Sequence, residues 1–449
     1  MADPTRSTPA PGLADPARAP SSAPTYREDR EVPRDTVAVW RARATHPVGA
    51  AILLAVVAQL LFTWHLATPH TLVFDEIHYV PAARRLWALT GPANIEHPLL
   101  GKALIGIGIA LFGDDSFGWR IMATLAGTAT MVGLYAIAWL TFRDVRTAVV
   151  TGLLAILNFT LYVQARIAML DGFMAALVVV GAAAMLWSMR SEGAAVGRRW
   201  LLGSVLLGLA AGVKWVAVPY GVLAAVAYLL ARGPTRWPGL TIWDAAWRLA
   251  LGSGIAYFAT FLPAFFYASE PLTLATLLPF QLTMFTQQTQ VLPHHTYQSA
   301  WWSWPLLIRP IWYLYEPVDG AQRGILLLGN PAIMWGGLIA VAACLWGWLR
   351  ERSVALGGVA ALWLGGWGMW ALIPKSLGFY YYYYLPSLWL PLAIAAAFHR
   401  FGQGRARHWD ESFVVLSAGL FLYFWPIISA APLYGPQAFQ HWMWFGSWL

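Results

Sequence analysis

Charge is what this chain has least of. Asp, Glu, Lys and Arg make up 11% of its 449 residues, against roughly a quarter in ordinary soluble proteins. Lysine occurs only at Lys102, Lys214 and Lys375. So few charges exclude an ordinary soluble domain. Cysteine is scarcer still: Cys344 stands alone, so an internal disulfide is excluded. The chain also lacks a compact HExxH-type histidine pair, a recognisable nucleophile triad and a phosphate-cradling glycine loop.

In their place stands apolar length. Apolar residues make up 59% of the chain, in long uncharged runs between about residue 47 and residue 431, which excludes disorder for that part. About 20 apolar residues cross a bilayer, and a β-barrel would show short alternating strands instead. The expectation is an all-α polytopic membrane protein with about eleven transmembrane helices. The spans are 47–66, 118–142, 147–163, 172–189, 201–231 as two short helices around Lys214, 248–268, 325–348, 354–374, 380–398 and 412–431. Residues 1–45, rich in Pro, Ala and Arg, read as a disordered cytoplasmic tail, residues 46–431 as the transmembrane body, and residues 432–449 as an outer aromatic tail.

The net charge of +8 resolves into topology and implies no nucleic-acid partner. With the N-terminus inside, the tail and inner loops hold 20 of the 29 basic residues, and every inner loop is basic. A single span over 201–231 would invert every later loop. Two long outer loops result, 67–117 and 269–324. In the first, the apolar stretch 99–112 is too short to span and predicts an interfacial helix. The second is dense in aromatics of the kind found at headgroup level.

The charges that break the rule are the candidates for chemistry. Lys102, Lys214 and Lys375 all fall outside or at outer helix ends, with Arg84, Arg85, Arg120, Arg166, Arg309 and Arg323. Charges near a membrane are costly and need partners, and an anionic ligand at the outer face is the economical one. Asp75 and Glu76 are adjacent just after the first span. On a helix they diverge by about 100 degrees, so one acts while the other orients, with His78 and Tyr79 about a turn away. Arg166 and Asp171 sit at an outer turn, where a local ion pair is the plain alternative, and Lys214 reads equally as a snorkelling lysine. His78, His97, His294 and His295 share the outer side with Glu76 and Glu96, but without metal-ligand spacing, so no metal is expected.

The segments FDEIHYV, HPLLGK, FGWRI, ARIAMLD, GVKW, HHTYQSAWWSWPLLIRP and PKSLGFYYYYYLP, in this order from residue 74 to residue 386, resemble the protein O-mannosyltransferases. These are GT-C glycosyltransferases that move mannose from a polyprenyl phosphate to Ser or Thr of secreted proteins. Two departures stand out. The family's HPP reads His97, Pro98, Leu99, and the 56-residue loop 269–324 is too short for the trefoil domains of eukaryotic members, so the resemblance is to a bacterial-type enzyme. It implies an inverting transferase in the bacterial plasma membrane with its site at the outer face, using no cofactor beyond its lipid-linked substrate. Its partners are polyprenyl phosphate mannose, membrane lipids, and secreted Ser/Thr-containing acceptors met during export. By the same resemblance Asp75 is the catalytic base and Glu76 orients the acceptor or the site. Arg120, Arg166, Lys214, His97 and Lys102 hold the donor phosphate or position loops, with Asp171 as a structural partner. The second loop contributes His294, His295, Tyr297, Trp304 and Arg309. Rival readings are a GT-C transferase of another lipid-linked sugar, such as aminoarabinose to lipid A or a cell-wall glycan, and a lipid or solute transporter, which would carry its charges near the membrane midplane.

Overall fold

In the computed structural model, residues 46–373 and 375–449 are described, and the expected tail 1–45 lies outside them. The elements run α1 (Pro47–Thr63), α2 (Glu76–Trp87), α3 (Leu100–Phe112), α4 (Ser116–Phe142), α5 (Val145–Ile156), α6 (Phe159–Gln164), α7 (Leu170–Ser188), α8 (Ala194–Ala211), α9 (Val218–Leu230), α10 (Ile242–Ala259) and α11 (Leu274–Gln288). A hairpin of β1 (Ile311–Val318) and β2 (Ala321–Leu327) follows, then α12 (Pro331–Glu351), α13 (Val354–Gly368), α14 (Trp389–Phe401) and α15 (Trp409–Ile428).

Among the described residues seven helices have the length and apolarity to cross a bilayer: α4, α7, α8, α10 with its extension to Phe266, α12, α13 with its extension to Ala371, and α15 with the turn before it. Helix α1, α3, α5 and the Trp215–Leu230 segment are apolar but shorter. Their outward faces keep large apolar side chains such as Ile52, Val56 and Leu60 exposed, as lipid-facing surfaces do, since lipid replaces water as their solvent.

Several expected spans are interrupted, each for a local reason. The run 147–163 breaks where Asn158 accepts a hydrogen bond from the Thr160 amide at 3.2 Å and starts a new short helix. The run 380–398 is a 3-10 turn over Tyr380–Tyr383 followed by shorter helical pieces. Residues 201–231 divide around Lys214, whose backbone is extended between α8 and α9. The expected span 325–348 begins late, because residues 325–327 belong to β2 and Asn330 caps α12.

The loop 269–324 is far from structureless. It contains α11 and the hairpin, whose two-residue turn Asp319–Gly320 has both residues at positive φ (50° and 73°), the geometry that matches the right-handed twist of paired strands. Residues 432–449 fold back onto this hairpin: the Tyr315 hydroxyl donates to the Pro436 carbonyl at 2.9 Å, the Leu433 amide to the Gln322 carbonyl at 2.8 Å, and the buried Trp448 indole to the Leu307 carbonyl at 2.5 Å.

Candidate active site

The first loop is built by arginines that grip backbone. Arg166 donates to the carbonyls of Phe62 (2.9 Å), Trp64 (2.5 Å) and His65 (3.2 Å). Arg120 takes up the chain next, donating to Leu66 (3.3 Å), Pro69 (2.8 Å) and Thr71 (2.7 Å). Its remaining bonds are a bidentate pair to Glu76, both at 2.8 Å, with both side chains essentially inaccessible. Glu76 in turn accepts from the amides of Val73 and Ala168, each at 2.8 Å. Every oxygen of Glu76 is thus occupied, and such charge-assisted, bidentate bonds are the strong ones.

These bonds bear on three of the expected site residues and on the choice between holding phosphate and positioning loops. Arg120 has all five donors engaged, on three carbonyls and Glu76, and Arg166 puts three of its five on carbonyls, contacts that position the loop. Glu76, expected among the catalytic residues, is the buried anchor of the same loop. Lys102 belongs with them: its ammonium is surrounded by the carbonyls of Ala93 (3.1 Å), Asn94 (2.5 Å) and His97 (2.8 Å), while burial pushes its pKa down to about 7. It clamps the 93–97 turn.

Asp75 is the carboxylate left over. It stands at the start of α2 but its side chain makes no capping bond, and its one hydrogen-bond partner among the described residues, the Tyr79 hydroxyl, is at 3.3 Å. It is half-buried. Burial pushes its carboxyl above the usual carboxylate range, opposed by the charge of Lys214. Phe74 just before it holds a positive φ of 51°, a costly conformation for a non-glycine residue. The ring of Phe74 is fixed by stacking on Tyr313 of β1 at 4.2 Å and edge-on contact with Tyr381 at 5.8 Å. Tyr313 is itself held by Gln164, which donates to its hydroxyl at 3.0 Å. The hairpin and the tyrosine run therefore aim Asp75.

Lys214 pairs with Asp171 at 2.8 and 3.0 Å, so the alternative of a local pair between Asp171 and Arg166 does not hold, and Asp171 is a structural partner as expected. The Lys214 ammonium lies over the rings of Tyr381 (5.4 Å) and Tyr382 (5.9 Å). The helix break that delivers it needs close approach: a Cβ on Gly212 would sit 2.4 Å from Thr260, and one on Gly101 of α3 would sit 2.6 Å from Leu170. The Leu100 amide donates to the Gly212 carbonyl at 3.0 Å, so the HPLLGK and GVKW segments are in direct contact.

Beside this pair a cavity of about 350 Å³ is lined by His294, Trp304, Trp370, Lys375, Gly378 and Tyr382, among others. Lys375 donates to the Gln288 carbonyl at 3.0 Å; burial and then the charge of Lys214 lower its pKa to about 8. The second-loop residues divide. Trp304 is buried on Trp370 and Tyr382 with its indole N–H on the Ser299 hydroxyl, and His294 is exposed at the cavity wall. His295 accepts from the Tyr297 amide. Arg309 donates to the carbonyls of Ser447 and Thr296 and lies over Tyr297, which makes it a tie to the C-terminal segment. His97 packs edge-on to Tyr79 at 6.0 Å, and burial pushes its pKa well down. Its Nδ1 is buried without a partner among the described residues.

The sequence placed Tyr79 within a turn of the two acids but gave no site role to Phe74, Tyr313, Tyr381 or Tyr382. Lys375 carried a signal, as one of three lysines placed against the charge rule; Tyr381 and Tyr382 carried only the aromatic density of their run.

Two family models match the chain: "Dolichyl-phosphate-mannose-protein mannosyltransferase" over residues 96–251 and "C-terminal four TMM region of protein-O-mannosyltransferase" over residues 273–448. The polyprenol-phosphate-mannose–protein mannosyltransferase of Mycobacterium tuberculosis is 27% identical, covering 91% of this chain and 92% of its own. That of Mycolicibacterium smegmatis is 27% identical over 72% and 76%. An undecaprenyl phosphate-alpha-4-amino-4-deoxy-L-arabinose arabinosyl transferase of Pseudomonas aeruginosa is 31% identical over only 36% of this chain and 28% of its own. Among solved structures, the S. cerevisiae protein O-mannosyltransferase Pmt1–Pmt2 complex bound to the sugar donor superposes with a TM-score of 0.75, at 13% identity over 92% of this chain and 94% of that one. ArnT from Cupriavidus metallidurans gives 0.56 at 17% identity, over 85% of this chain and 65% of that one.

Proposed function

The chain belongs to the GT-C protein O-mannosyltransferase family, and from that premise we propose that it transfers mannose from polyprenyl phosphate mannose to Ser or Thr hydroxyls of exported proteins at the outer face of the bacterial plasma membrane, with Asp75 as base. The observation that carries the reading is the contrast between the two acids: Glu76 has every oxygen occupied, whereas Asp75 is half-exposed, weakly bonded and held above its usual pKa by burial, near the Lys214–Asp171 ion pair. Such a carboxylate is suited to take a proton.

In this mechanism the Asp75 carboxylate accepts the proton of the acceptor hydroxyl, whose oxygen attacks the anomeric carbon as the bond to the phosphate oxygen breaks, with inversion. The phosphate departs without protonation, its charge met by the ammonium groups of Lys375 and Lys214, the latter held in place by Asp171. The reading calls for no metal or other cofactor, since these cations supply the charge. The aromatic walls from Trp304, Trp370 and Tyr382 suit a sugar face. The aminoarabinose alternative rests on a match to about a third of the chain and is the weaker one.

Single-turnover transfer from radiolabelled polyprenyl phosphate mannose to a threonine peptide tests the assignment. Asp75→Asn should lose about 100-fold to 10,000-fold in rate while still binding donor. A variant that keeps most of the rate removes Asp75 from the chemistry.

A further inference from the structure

At the end of the bundle away from Asp75 lies a second and larger cavity, of about 500 Å³, for which mannosyl transfer has no use. Its walls come from α4, α7, α8, α9, α13 and α14 and are apolar through most of their length, with Leu140, Leu186, Ala227, Gly358, Leu362 and Trp389 among the lining side chains. The lining runs along α9 from Tyr220 to Ala231, about 16 Å at 1.5 Å per residue. That is roughly half of a bilayer's hydrocarbon core of about 30 Å, the depth of one leaflet.

The two ends of the cavity differ in chemistry. Tyr220 and Trp389 lie at the deep end. At the mouth are Arg190, directly after α7, and Arg236, in the turn after α9, both exposed, with the exposed Thr235 beside them. No acidic residue lines the cavity among the described residues. Arg190 donates its Nε to the Leu140 carbonyl at 3.1 Å, which fixes the guanidinium at the rim. The mouth also lies where the chain gathers its basic residues, at the ends of helices that carry Arg143, Arg146, Arg190, Arg232, Arg236, Arg350 and Arg352. By the charge rule that end is cytoplasmic, where anionic lipid headgroups lie and juxtamembrane arginines attract them.

We infer that this cavity is a binding site for one anionic phospholipid of the inner leaflet, an acyl chain occupying the apolar channel and the phosphate lying between Arg190 and Arg236. The charge at the mouth and the single-leaflet depth select such a lipid over a neutral one and over a long polyprenyl chain, which would overrun the channel. The site is independent of the mannosyl transfer reading, since none of its residues is shared with the Asp75 region.

The test is native mass spectrometry of the full chain released from phosphatidylcholine vesicles containing a minor fraction of phosphatidylglycerol. One phosphatidylglycerol should remain bound in preference to phosphatidylcholine. The double variant Arg190→Gln/Arg236→Gln should bind it about 30-fold more weakly, at roughly 1 kcal/mol per arginine. Gly358→Phe, at a position where an added Cβ meets open space, should fill the channel and release the lipid with both arginines intact; should that variant not fold, the arginine pair decides alone. Equal retention of the two phospholipids, undiminished phosphatidylglycerol in a folded variant, or its displacement by undecaprenyl phosphate at equal concentration would each overturn the assignment.

Discussion

Neighbouring carboxylates with opposite fates make the residue scale the sharpest. Because burial raises the Asp75 pKa in the fold, the stability this group contributes is present below its unfolded value of about 3.9 and is lost as pH rises through the folded value. At neutral pH its charge is a cost. Asp75→Asn should therefore raise the melting temperature while abolishing transfer, and an unchanged or lower melting temperature would contradict that sign. Glu76→Gln or Arg120→Met should act oppositely, losing about 3 to 5 kcal/mol because each leaves a buried charge unpaired; thermal unfolding in detergent reads both. A third expectation concerns Lys375, which loses its proton above about 8. Donor affinity should fall as pH rises through that value, and Lys375→Gln should bind donor more weakly and abolish the fall. The sequence made Asp75 and Glu76 visible as a pair of acids where acids are scarce. Which of them is free was not legible, because it depends on the amides of Val73 and Ala168 and on Arg120, brought together only by folding.

Among the elements, those decided by local chemistry were readable and those decided by pairing were not. The break at Lys214 follows from a charge and a glycine inside an apolar run. Helix α3 falls where the apolar stretch 99–112 predicts a helix. The hairpin had a local signature too, an Asp-Gly turn between strand-forming residues, yet apolar continuity into residue 348 hid its second strand inside a supposed span. Contacts between elements stayed invisible: nothing in HPLLGK announces that Gly101 must fit against Leu170 and Val213. Gly101→Val should force that contact apart and cost about 1 to 3 kcal/mol by overpacking. With it, Lys214 should lose its alignment, so that the donor KM rises more than stability alone explains. A melting temperature and KM indistinguishable from wild type would mean the α3 contact is slack.

For the whole molecule, charge distribution carries the topological argument and Cys344 makes it easy to test. That cysteine is buried, so single cysteines introduced elsewhere report cleanly. His78→Cys and Arg143→Cys change exposed residues at opposite ends of the bundle. On intact cells an impermeant thiol reagent should label the first alone, and labelling of the second would reverse the orientation. The ties that hold the outer loops have a further consequence. Arg166, Arg120 and Lys102 fasten residues 62–71 and 93–97 by carbonyl oxygens, atoms that every amino acid supplies alike. The side chains on those stretches are thereby released from the task of holding the loops in place. Selection can redraw the surface around the site, and with it the choice of protein to be modified, without first solving the folding problem again.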